Sequence, residues 1–166
     1  MVTGDVQQFG AVFAKIKSDF DGRNSAGLVC KQGFYKACAV LKLQKASWTN
    51  DPMDRVQNES GIFFSIWIDE DAARRSLAKY NIHALKLRQL KGYSIASREF
   101  ANDFRNGFAP ARNTWPNVSV DYGPLTLMEG WIGVDSNKFE KDILVLMERF
   151  IHLSPLIDRL LESRRR

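Results

Sequence analysis

The sequence predicts an α+β protein: a mixed or mostly antiparallel sheet of about five to six strands, flanked by N- and C-terminal helices. Two observations lead to this fold class. Segments whose apolar residues alternate with a period of two occupy the middle of the chain, and segments with helical spacing lie at both ends. The strand-like segments are joined by hairpin-like connections rather than by the long crossovers of parallel strands.

Length and composition predict one globular domain over residues 1–166. The chain is 45% hydrophobic and 26% charged, which is an ordinary balance for a folded domain. A chain of 166 residues buries enough surface to fold without a disulfide or a structural metal. No repeat, low-complexity tract or long linker divides it.

The first elements are a helix and a strand region. Apolar residues recur at intervals of three and four at Val6, Phe9, Phe13, Ile16 and Phe20. Asp21-Gly22 ends this predicted helix. Residues 27–47 then alternate as strand residues, with a break predicted at Gly33.

The clearest strand covers residues 61–69. One of its faces carries Ile62, Phe64, Ile66 and Ile68, and the other carries Phe63, Ser65 and Trp67. Since both faces are largely apolar, we expect this strand to be central in the sheet.

The second half continues with alternating helices and strands. A short helix or ordered loop is predicted through Ala72, Leu77 and Tyr80, ending near Asn81, and a strand over residues 83–90. A helix capped by Ser97 should end at residues 106–107.

The last part of the chain predicts a hairpin and two helical pieces. Residues 118–122 form a strand that turns at residues 123–124 into a second strand over residues 125–134. A helix follows Asn137, and Ser154-Pro155 starts a final helical piece.

The net charge of +5 depends on the end of the chain. Without Arg164, Arg165 and Arg166, 21 basic residues face 19 acidic ones. We expect residues 164–166 to form a solvated basic tail rather than part of a nucleic-acid footprint.

Cysteine usage and hydropathy favour a cytoplasmic protein. Cys30 and Cys38 are expected to be reduced, small apolar side chains. No signal peptide is recognisable, and the longest apolar runs have the length of a strand, so no membrane association is expected.

Common catalytic and cofactor motifs are absent from the sequence, and we expect no cofactor and no metal. Asp69, Glu70 and Asp71 follow the central strand, where carboxylates could hold the divalent cation of a nuclease or phosphodiesterase. Acidic residues at this place are also typical of the first turn of a helix.

A second alternative is single-stranded nucleic-acid binding. Aromatic and basic residues that could stack on bases and neutralise phosphates are Tyr35, Lys36, Lys42, Lys45 and Trp48. Each aromatic residue is equally compatible with ordinary packing.

A third candidate site is the second face of the sheet. Phe63, Trp67 and Trp131 are expected to share this face. Contiguous apolar surface on a monomer marks a partner interface or a ligand groove. The chain's own helices, a homodimer or other protein partner, or an apolar cleft could each account for these residues.

Part of the chain resembles a known family. The run Gly33-Phe34-Tyr35-Lys36, the segment 40–48 ending in Gln44-Lys45-Ala46-Ser47-Trp48, and Gly61-Ile62-Phe63-Phe64 resemble the bacterial domain of unknown function family 4304. Ala46 departs from the Q-K-S pattern of that family. The resemblance implies a related fold and no particular activity.

Together these observations favour a non-catalytic module that binds a protein or ligand or takes part in assembly. Metal-dependent phosphodiester cleavage and single-stranded nucleic-acid binding remain the alternatives.

Overall fold

A computed structural model describes residues 2–23, 27–52, 56, 60–135 and 137–166, with the backbone alone for residues 2–5. Its α-helices are α1 (Val2–Asp21), α2 (Glu70–Arg74), α3 (Ser97–Phe108) and α4 (Phe139–Glu162). Its strands are β1 (Val29–Tyr35), β2 (Cys38–Gln44), β3 (Gly61–Ile68), β4 (Leu77–Leu85) and β5 (Thr126–Gly133). Three short 3₁₀ segments cover Ala46–Trp48, Leu87–Gln89 and Ala109–Thr114.

The five strands form one sheet in the order β1-β2-β3-β4-β5, and every neighbouring pair is antiparallel. The predicted α+β class, the largely antiparallel sheet and the flanking helices are confirmed. β3 lies in the centre, as its two apolar faces require.

One face of the sheet, called here the helix face, packs against the long helices. Phe64 of β3 stacks on Phe150 of α4 with ring centroids 4.5 Å apart. α1 packs on the β1–β2 side of the same face, where Gln32 donates a hydrogen bond to the Gly10 carbonyl. Phe13 of α1 stacks on Phe139 of α4, so that the two terminal helices share one core.

The break predicted at Gly33 is wrong, because Gly33 lies inside β1, opposite Val40. The chain turns instead at Lys36 and Ala37, which both have positive φ angles, as a type I′ hairpin requires. Lysine and alanine are not typical residues for this turn, so the sequence does not signal it.

The short helix or ordered loop predicted through Ala72, Leu77 and Tyr80 is confirmed at Ala72, which lies in α2, and is wrong at Leu77 and Tyr80, which lie in β4. α2 ends after one turn, Ser76 has a positive φ of 53°, and β4 begins at the next residue. Pairing of β4 with both β3 and β5 buries alternate residues of this segment, and that tertiary gain outweighs the helical spacing. The strand predicted over residues 83–90 ends at Leu85.

Three predicted boundaries in the second half also differ. α3 runs past residues 106–107 to Phe108, with Ala96 rather than Ser97 as its N-cap residue. α4 continues through Pro155 as one helix, because its second half buries Leu156, Ile157 and Leu161. In the segment 118–122, only Ser119 bridges to β5, opposite Glu129.

The C-terminal arginines are docked by their backbone onto the segment 92–94. The Arg166 amide donates to the Gly92 carbonyl, and the Ser94 amide donates to the Arg164 carbonyl. The Arg164 side chain is mostly buried, forms an ion pair with Asp103 and lies over the Phe100 ring. The expectation of a solvated tail is therefore wrong for Arg164.

Both cysteines are free. Cys30 lies on the helix face opposite Leu43, whereas Cys38 lies on the other face opposite Tyr35, so the sheet separates their side chains. None of the helices within the described residues combines the length and the apolar character needed to cross a membrane.

The hairpin turn allows a direct test of the backbone geometry. Ala37→Gly should stabilise the fold by about 0.5–1 kcal/mol, because a left-handed backbone strains alanine and not glycine. Urea unfolding measures the change. The matched control is Ala46→Gly, an exposed site outside the positive-φ set, which should lose about 0.5–1 kcal/mol. Destabilisation by both changes would contradict the turn geometry.

Candidate functional site

The side of the sheet opposite the helix face, called here the second face, contains a concave cleft of about 210 Å³. The cleft runs along β2 and β3 from the hairpin turn towards the far end of β3. Tyr35, Lys36 and Cys38 line its hairpin end, and Phe63 and His83 line its other end. The strand register places these residues together, since Tyr35 pairs with Cys38 and Phe63 pairs with His83.

Val56 contributes to the wall of the cleft on the β1 side. Its Cγ2 atom lies 3.1 Å from the position that a Cβ atom on Gly33 would occupy. Because Gly33 has no side chain, Val56 can lie directly on this part of β1. Val40 and Trp67, which pair across β2 and β3, continue the apolar wall next to it.

The floor of the cleft is polar. Lys42, Ser65 and Asn81 lie side by side in one register row across β2, β3 and β4, and all three are buried. Ser65 Oγ donates to Asn81 Oδ1 at 2.9 Å. The Asn81 amide lies 2.9 Å from His83 Nε2 and 3.4 Å from Glu129 Oε1.

These contacts define the hydrogen-bonding roles on β4. With Asn81 Nδ2 as the donor, His83 Nε2 is the acceptor and the ring proton lies on Nδ1, which faces the Leu125 carbonyl at 3.4 Å. The network fixes the orientation of Asn81 and His83 before any ligand is present. A preorganised set of polar groups of this kind is typical of a binding site.

Lys42 is the most unusual residue of the cleft, because its exposed fraction is only 1%. Its Nζ atom lies 4.4 Å from the centroid of the Phe63 ring, a cation–π geometry. His83 packs on the same ring with a centroid distance of 5.2 Å. Burial of an ammonium group costs several kcal/mol unless other groups compensate, and the Phe63 ring provides part of that compensation.

The nucleophiles of the cleft are not activated. Burial, with a smaller contribution from Asp69, raises the pKa of the Cys38 thiol. The Ser65 hydroxyl donates to an amide oxygen, which cannot act as a general base. Neither observation indicates an activated nucleophile among the described residues of the cleft.

The structure brings together two of the three residues predicted on the second face. Phe63, 4% exposed, and Trp67, which is partly exposed, both line the cleft. Trp131 is 43% exposed and lies in the same register row as Trp67, but Lys79 of β4 stands between them. The cleft therefore ends before it reaches Trp131.

The residues of the nucleic-acid alternative lie on two sides of the sheet. Tyr35, Lys36 and Lys42 belong to the cleft, and Lys36 lies over the Tyr35 ring at 5.1 Å. Trp48 is fully buried against Phe64 on the helix face, and its Nε1 donates to Asp158 at 2.9 Å. Lys45 forms an ion pair with the same carboxylate at 2.6 Å. These five residues do not form one continuous strip.

The acidic cluster after β3 has structural partners. Asp69 caps α2 by accepting a hydrogen bond from the Ala72 amide at 2.7 Å, and its carboxylate lies 3.9 Å from Lys79 Nζ. Asp71 pairs with Arg74 and Arg75 at 3.5 and 3.4 Å. Within the part of the chain that the structure describes, no group of three His, Cys, Asp or Glu residues could hold a metal ion.

Sequence reasoning missed Asn81, His83, Cys38 and Val40 as parts of the site. Ser65 carried a usable signal, because it is a polar residue in the middle of an apolar strand. The partner Asn81 could not be identified, since its segment was predicted to be the end of a short helix or ordered loop rather than a strand. Because β4 was not predicted over this segment, the sequence pattern could not show that Ser65, Asn81 and His83 lie close together.

Comparison of the chain with protein-family models, with curated proteins and with solved structures finds no match. The resemblance to family 4304 therefore stays a prediction, and the site is interpreted from its own chemistry.

The two thiols provide a test of the arrangement. Burial raises the pKa of Cys30 to about 12, which leaves a thiolate fraction on the order of one in ten thousand at about pH 8. Iodoacetamide should therefore modify Cys38 in the native protein and Cys30 only after unfolding, as measured by peptide mass spectrometry. Cys38→Ser should abolish native modification. Equal native rates at both cysteines would contradict the difference in burial between the two thiols.

Proposed function

We propose that the protein is a non-catalytic binding module that holds a small organic molecule in the cleft of the second face. The observation that carries the proposal is the combination of aromatic walls with a buried, hydrogen-bonded polar floor. Ligand sites are typically apolar concavities in which a few placed polar groups fix orientation.

The size of the cleft limits the ligand. A volume of about 210 Å³ lies below the range of roughly 300–1,000 Å³ that is typical for drug-sized ligands. We therefore expect a molecule of one or two rings, or an aliphatic molecule of similar size. Tyr35, Phe63 and Trp67 provide aromatic surface for its apolar part.

The other candidate functions have weaker support. Two of the three carboxylates that a metal-dependent nuclease would use, those of Asp69 and Asp71, are engaged in a helix cap and in ion pairs. Lys45 and Trp48, which would extend a nucleic-acid surface, are bound to Asp158. For a protein partner or a second copy, the exposed apolar residues Val29, Phe34 and Trp131 lie at separate places on the outer strands, and single exposed residues are ordinary on a protein surface.

Two naphthalene probes of the same shape test the proposal, 2-naphthoate and 2-naphthamide. Isothermal titration should detect binding of at least one of them, and bound probe should slow the modification of Cys38 by iodoacetamide. Val40→Phe adds a ring to the cleft wall, and it should weaken binding by about tenfold or more by occupying the ligand volume.

The matched control is Val29→Phe, the same change on the same face at a position that is 51% exposed and lies outside the cleft. This variant should bind the probes as the native protein does. The proposal fails if neither probe binds, or if bound probe leaves the modification rate of Cys38 unchanged. These two readouts use the native chain and do not depend on how Val40→Phe folds.

A further inference from the structure

The hydrogen bonds of the cleft floor determine which polar groups a ligand can use there. Asn81 Nδ2 faces Glu129 Oε1 at 3.4 Å and His83 Nε2 at 2.9 Å. An ionised carboxylate only accepts hydrogen bonds, so Glu129 orients the nitrogen side of the Asn81 amide towards itself and the oxygen side towards Ser65. The two amide protons of Asn81 therefore have acceptors, and its Oδ1 atom is left to accept a bond from Ser65.

Ser65 is the floor residue whose remaining hydrogen-bonding capacity this orientation fixes. A hydroxyl group has one proton and two lone pairs. Ser65 Oγ donates its proton to Asn81 Oδ1 at 2.9 Å, and this is the one hydrogen bond that the hydroxyl forms with the described residues. The lone pairs are therefore what Ser65 offers to a ligand, and towards a ligand it acts as an acceptor.

The position of Ser65 places this acceptor beside the aromatic walls of the cleft. Phe63, Ser65 and Trp67 project from the same face of β3, so Ser65 lies between the two aromatic residues. All three line the cleft, and Ser65 is only 8% exposed. A ring that packs between Phe63 and Trp67 thus brings its substituent to a buried acceptor. A substituent with a proton gains a hydrogen bond there, whereas one without a proton leaves the Ser65 lone pairs without a donor.

We propose that the ligand is an aromatic molecule of one or two rings with a hydroxyl or a ring N–H, and that this group donates a hydrogen bond to Ser65 Oγ. This inference rests on the proposed function and adds the hydrogen-bonding class of the ligand to it. Phenols and indoles are the simplest members of this class. Because the proton of the ligand decides the selection, an ether or a halide at the same position binds less tightly.

Two naphthalene probes of almost the same size test the inference, 2-naphthol and 2-fluoronaphthalene. At about pH 7 the phenolic hydroxyl of 2-naphthol is neutral and can donate, whereas the fluorine atom has no proton. Titration of the native protein should show that 2-naphthol binds about fivefold or more tightly, and bound 2-naphthol should slow the modification of Cys38 by iodoacetamide. Equal affinity, or tighter binding of 2-fluoronaphthalene, would overturn the inference while leaving the proposed function in place. Failure of both probes to bind would overturn it as well, and the proposed function is then decided by 2-naphthoate and 2-naphthamide alone.

Ser65→Ala locates the acceptor, because alanine keeps the Cβ atom and removes the hydroxyl. This variant should lower the affinity for 2-naphthol to that for 2-fluoronaphthalene and leave the affinity for 2-fluoronaphthalene unchanged. The matched control is Ser154→Ala, which removes another buried serine hydroxyl, one that donates to the Ile151 carbonyl on α4 outside the cleft and should retain the preference. A preference for 2-naphthol that survives in Ser65→Ala would contradict the role of Ser65. The native comparison decides the hydrogen-bonding class whether or not that variant folds.

Discussion

The structure depends on a mismatch between the two apolar faces of the central strand and the single face that the long helices cover. β3 carries large apolar side chains on both faces, but the long helices pack on one of them, where Phe64 stacks on Phe150. The other side of β3 must bury Phe63 and Trp67 by a different means. Neighbouring strands and Val56 provide part of the cover, and the space that they leave is the cleft. The candidate site is thus a direct consequence of how the sheet is packed.

The polar floor of the cleft carries a desolvation cost that an apolar floor would avoid. Apolar residues in place of Lys42, Ser65 and Asn81 would bury the same area without the desolvation of an ammonium, a hydroxyl and an amide. The hydroxyl and the amide satisfy each other, and the ammonium lies on an aromatic ring. Such a network holds its groups in fixed positions, which lowers the side-chain entropy that the protein loses when a ligand binds. A binding role gives this arrangement a physical purpose.

The sequence was sufficient to predict the elements that long periodic runs of apolar residues define. It was insufficient for the elements that depend on strand pairing. α1, the central strand and the first half of α4 were predicted because their apolar stripes are long and unambiguous. The short helix or ordered loop predicted to reach Leu77 and Tyr80 was wrong at these residues because a few apolar residues fit both the helical and the strand period. Pairing with β3 and β5 decides in favour of the strand. Phe63 and Trp67 were assigned to the second face correctly because they lie on the predicted central strand. Asn81 and His83 were missed as site residues because they lie on β4. The buried state of Lys42 is also set by register, since alternation alone places a lysine on the solvent side.

The most direct test of the account is a crystal structure of the protein grown with 2-naphthoate. The central claim is that the second face is a ligand cleft with aromatic walls and a buried polar floor. It predicts electron density for the naphthalene ring between Phe63 and Trp67, in contact with the aromatic walls of the cleft. An unoccupied cleft at saturating probe, or a ring seated elsewhere on the surface, would contradict it.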